Sequence, residues 1–239
     1  MVAYSSPPGR QHFVLDPNFP DRLKFSGYDR TVDFIKFLFK KYSQCGLTNQ
    51  SDKDTAISGL LKRIESALKT EVRYGVFRCF LPSLLLWKRS DEKTAPINYR
   101  RRKVPSWSWM AYPGGIDFVS NSSLMVPDPE DLRFGANQEA LMVKVRQFKI
   151  CRLELKGKVC AILAGLKSVG SLWFDMETNN QSEHCVVVGM REDTKRNSKK
   201  TYYILVVLKE PRDNEYRRLG VGEVQACYVS KESDPGTLV

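Results

Sequence analysis

His184 and Cys185 are adjacent, and a thiol beside an imidazole is the raw material of a nucleophile and its base. The run that holds them, HCVVVGM, reads as a strand. Successive strand residues project to opposite faces, so the two side chains are held apart rather than brought together. The other histidine, His12, lies far away in a Pro-rich stretch. The cysteines, Cys45, Cys79, Cys151, Cys160, Cys185 and Cys227, include no C-x-x-C pair. No carboxylates cluster with the histidines, so the sequence offers no metal-ligand set. Asp52, Asp54, Asp91, Glu92, Asp128, Glu130 and Asp131 fall in turns and helix starts, as solvated or capping charges do. Asp117, next to Gly114-Gly115, has the strongest claim among the acids to proton transfer, with a turn role as the plainer alternative. Gly114-Gly115 and Gly220-Val221-Gly222 lack the GxGxxG or GK[ST] continuation of a phosphate loop and read as a tight turn and as a bulge or bend. No catalytic residue, cofactor or metal is expected.

The chain has 239 residues, with 38 Lys+Arg against 27 Asp+Glu, a formal charge of +11. Such an excess attracts anionic partners. It gathers at Arg100-Arg101-Arg102-Lys103 and at Lys195-Arg196 with Lys199-Lys200. The first run is a candidate anion contact, and a nucleic-acid partner is the alternative function it supports, though no zinc-finger, helix-turn-helix or RNP signature accompanies it. No apolar run approaches about 18 residues and MVAYSSPPGRQHF has no h-region, so neither a spanning helix nor a signal peptide is expected. An intracellular, cytoplasmic chain follows, with reduced cysteines and unused sequons at Asn49, Asn121 and Asn180.

These groups need elements to position them. Residues 1–30, with Pro7, Pro8, Gly9, Pro17 and Pro20, read as an extended lead-in. Residues 31–42 show helical periodicity, with Val32, Phe34, Ile35, Leu38, Phe39 and Tyr42 on one arc and Phe37 off it. Gly46 is the expected stop. Residues 51–69 form a second helix, with Ser51 at its cap and Ile57, Leu60, Leu61, Ile64 and Leu68 as its core stripe; Gly59 weakens it unless a neighbour packs closely there. Residues 74–88 read as two short helical pieces broken at Pro82, and 89–104 as a basic loop. From 105 the pattern turns to strands, at 141–148, 150–155, 159–163, 171–174, 184–190, 201–208 and 223–229, with Lys156-Gly157-Lys158 as a tight turn. Tyr202 to Leu208 is apolar throughout, as in a central strand. The expected fold is α+β: a helical part, 31–104, packed on an antiparallel β-sandwich or small barrel, 105–239.

Val104-Pro105-Ser106-Trp107-Ser108-Trp109-Met110-Ala111 is the most distinctive stretch. Pro105 holds Val104 extended. If the segment is a strand, Trp107 and Trp109 share a face, and two indoles burying about 150–250 Å² each can anchor the helical half to the β half. A ligand or base-stacking platform is the competing use. The segment resembles the PSWSWA signature of fungal heterokaryon-incompatibility (HET-domain) proteins. Tyr42-Ser43, Leu47-Thr48, Ser51-Asp52 and Ala56-Ile57-Ser58-Gly59 resemble that family's YS…LT…SD…A[IL]SG segment. Leu85-Leu86-Trp87 resembles its LLW, Gly115-Ile116-Asp117-Phe118 the continuation of PSWSWA, and Tyr216-Arg217-Arg218-Leu219-Gly220-Val221-Gly222 its YxRxGxG strand.

The resemblance covers about residues 31–229. The family's LSYxWG-like and D[AS][IL]CI[ND]Q-like segments do not occur. The resemblance therefore implies a region that follows the incompatibility module, a truncated paralogue or fragment. It implies a non-enzymatic protein that supports or regulates that module through protein–protein contact, in non-self recognition and programmed cell death. Pro105, Ser106, Trp107, Ser108, Trp109 and Trp87 are then its structural signature.

Overall fold

The computed structural model describes residues 19–91, 95–100, 103–119, 124–125, 128–149, 152–156, 159–176, 183–192 and 200–239. After a 3-10 turn at Asp21–Phe25, helix α1 runs Tyr28–Ser43 and helix α2 Lys53–Leu68. α1 buries Val32, Phe34, Ile35 and Phe39, while Phe37, Leu38 and Tyr42 are half-buried. α2 buries Ile57, Leu61, Ile64 and Ala67. Ser51 does not cap it: Gln50–Asp52 form a separate 3-10 turn, and no side chain bonds the helix start. α1 closes at Ser43, before Gly46.

The stretch expected to be helical up to 104 also contains strands. β1 (Val72–Arg73) and β2 (Val76–Phe77) form a hairpin around Tyr74 and Gly75, at φ 45° and 75°. Two successive positive φ values match the right-handed strand twist, which is why so short a loop closes. A 3-10 turn, Arg78–Phe80, leads into helix α3, Leu81–Leu85. Pro82 lies in its first turn, where a missing N–H costs nothing, so this proline starts a helix instead of breaking one. β3 (Trp87–Arg89) then pairs antiparallel with β4 (Ile116–Phe118). Among the described residues of 105–131 there are otherwise two 3-10 turns, Trp109–Ala111 and Pro129–Asp131.

The large sheet comprises β5 (Leu132–Phe134), β6 (Leu141–Gln147), β7 (Arg152–Lys156), β8 (Val159–Ala164), β9 (Lys167–Phe174), β10 (His184–Glu192), β11 (Lys200–Lys209), β12 (Glu215–Gln225) and β13 (Asp234–Leu238). Its order is β11-β10-β6-β13-β12-β9-β8-β7, and β11 also pairs with β12. Five strands, β11, β10, β6, β13 and β12, therefore close into a barrel, which removes their free edges. The sheet is mixed, not purely antiparallel, because β13 runs parallel to β12. The chain is thus α+β, with three helices among its described residues and a closed five-stranded barrel.

β11 shows why its sequence lacks alternation. Tyr203, Leu205 and Val207 join the core that contains Phe39, Ile64, Leu84 and the tryptophans. Ile204 and Val206 join a second core with Cys160, Ile162, Val169 and Leu172. Both faces are buried, so no position is left for a polar residue. No helix among the described residues is long and apolar enough to cross a membrane.

Gly220 and Gly222 lie inside β12, not in a loop, and a bulge at Val206/Val207 of β11 faces Leu219. A Cβ on Gly222 would fall 2.3 Å from the Ser171 carbonyl oxygen of β9. Gly59, exposed in mid-α2, has nothing within 4 Å of its notional Cβ. Opposite outcomes follow in urea denaturation: Gly222→Ala lowers stability by about 1–3 kcal/mol, whereas Gly59→Ala raises it by about 0.5–1 kcal/mol.

Candidate functional site

The PSWSW segment is a turn, not a strand. Ser106 and Trp107 form a turn closed by Ser108 N donating to Pro105 O at 3.0 Å, and Ser108 caps the 3-10 turn Trp109–Ala111, its Oγ accepting from Met110 N at 3.0 Å. The two indoles therefore diverge to different partners instead of sharing a face. Trp107 reaches the β region: Nε1 donates to Glu139 O at 2.9 Å, and the ring meets Phe134 of β5 at 6.1 Å and the edge of Tyr74 at 5.9 Å. Trp109 reaches the helices: Nε1 donates to Gly75 O at 3.2 Å, with Phe39 at 5.1 Å and Tyr42 at 6.0 Å. Trp87 donates to Trp107 O at 2.9 Å. All three indoles are 0% exposed. At about 25 cal/mol per Å², each contributes about 4–6 kcal/mol before entropy is counted, far more than any single polar contact here.

The serines complete the segment. Ser106 N and Oγ both donate to Val239 O, at 3.1 and 2.6 Å, and the same Oγ accepts from Arg218 N at 2.9 Å. Ser108 Oγ donates to Tyr74 O at 2.8 Å. Each polar side-chain atom of Ser106 to Trp109 thus has a backbone partner inside the protein.

Arg218, on β12, stands at the centre. Its guanidinium donates to Asp175 Oδ2 at 2.8 Å and Oδ1 at 3.2 Å, to Leu85 O at 2.7 Å and to Trp87 O at 2.5 Å. It lies 3.5 Å from the centroid of the Trp87 ring. The ion pair is 0% and 1% exposed. Asp175 also receives Arg89 Nη1 on its carbonyl at 3.1 Å, and Arg89 Nη2 donates to Pro113 O at 3.2 Å. Beside them Lys53, 2% exposed, donates to Tyr112 O at 2.7 Å and lies 4.9 Å over Trp109. Burial, then repulsion from Arg89, brings the Lys53 ammonium down to about 8. Burial, then Asp175, pushes Tyr112 up to about 12.

The remaining candidates do not join this cluster. Asp117 bonds Lys40 at 2.9 Å at the surface, and Lys40 with the Phe118 N–H holds its carboxyl below the usual range against the opposing effect of burial. Cys185 is fully buried, and burial pushes its thiol up to about 12; half-buried His184 meets Tyr216 at 5.9 Å. Arg100 and Lys103 are exposed, while Arg101, Arg102, His12 and Cys151 lie outside the described residues. Among the described residues no three His, Cys, Asp or Glu side chains are grouped to hold a metal ion. An open concavity of about 380 Å³ beside Lys24, Lys62 and Arg63 lies away from the tryptophans. No protein-family model, curated protein or solved structure matches the chain.

Asp175, Arg89 and Lys53 are the site residues that sequence reasoning leaves out, and Arg218 enters it only within the YxRxGxG resemblance, without a role of its own. Consecutive Arg217 and Arg218 in a strand are one available signal, since only one of two neighbours can face solvent.

Arg218→Met strands the buried Asp175 and loses about 3–5 kcal/mol in equilibrium denaturation. Arg218→Met with Asp175→Leu removes the orphaned charge yet stays about 2 kcal/mol below the parent, because the Leu85 and Trp87 carbonyls still lack donors. Full restoration would reduce Arg218 to a partner of Asp175 alone. Lys53 gives a pH signature. Its folded value, about 8, lies below the ordinary 10.5, so above pH 8 the unfolded chain holds the proton more tightly and stability rises with pH. Relative to Lys53→Met, the parent gains about 2–3 kcal/mol between pH 7 and 10; parallel curves would contradict a buried ammonium.

Proposed function

We propose that the chain is a non-catalytic α+β region of a heterokaryon-incompatibility-like protein, its helical part packed on the barrel, supporting or regulating an incompatibility module through protein–protein contact. One observation carries this reading. The segments that resemble the family are scattered from Tyr42 to Gly222, and they bond to one another. Tyr42 OH donates to Lys53 O at 2.5 Å, and Ile116 N to Ser43 Oγ at 3.0 Å. Lys53 lies over Trp109, Trp87 bonds Trp107, and Arg218 bonds Leu85, Trp87 and Ser106. Tyr42, Ser43, Leu85, Trp87, Ser106, Trp107, Trp109, Ile116 and Arg218 of these segments are thus joined in one interior network, Lys53 linking Tyr42 to Trp109 from between the segments, while Thr48, Ser51, Asp52, Ala56 and Gly59 are exposed. A pattern whose members meet in the core serves a common scaffold, and the work of such a scaffold is left to its surface.

The test is co-expression with a polypeptide carrying the LSYxWG-type module. A stoichiometric complex, and a changed degree of cell killing by the module, are expected. A chain that neither co-purifies with such modules nor alters their toxicity contradicts the proposal. The basic-loop alternative makes a different forecast: salt-dependent binding to duplex or single-stranded nucleic acid, abolished by neutralising Arg100 to Lys103.

A further inference from the structure

β9, β8 and β7 continue the large sheet past the barrel, and β7 ends it. Among the described residues the strand partner of β7 is β8, with Arg152 opposite Leu163, Leu153 opposite Ile162, Glu154 opposite Ala161 and Lys156 opposite Val159. Only residues 157 and 158 separate Lys156 from Val159, and partners that close in sequence must bond each other directly. The register is unbroken, so Glu154 and Arg152 also bond β8. Hydrogen-bonding direction alternates along a strand, so the N–H and C=O of Leu153 and Leu155 point to the open edge.

An open edge is a template for another strand, and proteins ordinarily blunt it with charge. Like charges keep copies apart, but the charges here are opposite. Arg152 and Glu154 flank Leu153 on one face of β7 and lie 3.4 Å apart, their side chains 72% and 43% exposed. Leu153 lies on the other face, half-buried against the second core. A copy laid antiparallel along this edge must match outward residues with outward ones, so a two-fold axis passes through a residue and its own counterpart. With the axis at Leu153, each Leu153 exchanges both hydrogen bonds with its copy. Arg152 then faces Glu154 on either side of the axis, in the non-hydrogen-bonded pairs, where side chains come closest. The two leucines meet on the core face. An axis at Arg152 or at Glu154 sets that charge against itself, and an axis at Leu155 sets Arg152 against Lys158. The charge pattern therefore selects one register. An unrelated strand matches it by coincidence, whereas a copy matches it by identity.

We propose that β7 pairs antiparallel with β7 of a second copy of this chain about Leu153, joining the two sheets edge to edge. The contact is short, so the association is a weak one. The test is sedimentation velocity of the full chain from about 1 µM to 1 mM, at low salt. The mean mass is expected to climb with concentration from that of one chain toward that of two. Arg152→Glu and Glu154→Arg each put two like-charge pairs where two attractive ones stood, and each is expected to weaken self-association about thirtyfold. Mixed in equal amounts, the two variants are expected to recover the parent's affinity, since every Glu at the edge then faces an Arg. Both exchanges in one chain restore self-pairing by the same rule. Both side chains are at the surface, so the variants keep the fold. A chain that stays single at every concentration overturns the pairing. So does association that neither reversal weakens, or a loss that neither mixing nor the double exchange repairs.

Discussion

A guanidinium with no access to water must find a partner for its N–H groups and its charge within the protein, and Arg218 imposes that demand on the whole molecule. Four hydrogen bonds and one ring face answer it. The partners come from the end of β9, the end of α3 and the start of β3, while the Arg218 backbone N–H takes Ser106. The desolvation cost of a buried ion pair is offset only when geometry and extra hydrogen bonds are both good. Fixing one side chain therefore fixes the angle at which α3 and the PSWSW turn meet β12. Indole burial supplies the larger free energy, but it is non-directional; the arginine supplies the direction.

That division explains why the distinctive residues face inward. Trp107 and Trp109 leave a single turn in opposite senses, one to Phe134 and Glu139, the other to Phe39 and Gly75. A Trp-Ser-Trp turn can do this because the intervening Ser108 satisfies the turn's own N–H.

Much of the architecture is legible in the residues. The arc of α1, the stripe of α2 and the runs of β6, β8, β10 and β11 follow from period and composition, since each buries one or both faces. The β1–β2 hairpin is hidden because Tyr74-Gly75 sits in an apolar stretch and turns by positive φ, without a polar turn signal. β13 is hidden because Asp234-Pro235-Gly236 reads as a turn, yet Pro235 needs no donor and Gly236 fits against Val145 and Tyr216. The periodicity places a strand at 223–229, whereas β12 runs Glu215–Gln225 and Ala226–Tyr228 is a 3-10 turn; its first eight residues are masked by charges, one of which turns inward, and only the resemblance marks them as a strand. Lys53 is the least legible: a lysine between two aspartates looks solvated, and only the tertiary approach of Trp109 and Tyr112 buries it.

The most direct test of interior indoles is native-state hydrogen exchange of the Trp87, Trp107 and Trp109 Nε1–H groups. Fully buried and hydrogen-bonded to the backbone, they exchange only through global unfolding, with opening free energies within about 1 kcal/mol of the slowest β11 and β12 amides. Exchange of the Trp107 and Trp109 indoles several kcal/mol below that level would make the PSWSW turn a detachable surface element and contradict its role as the joint of the fold.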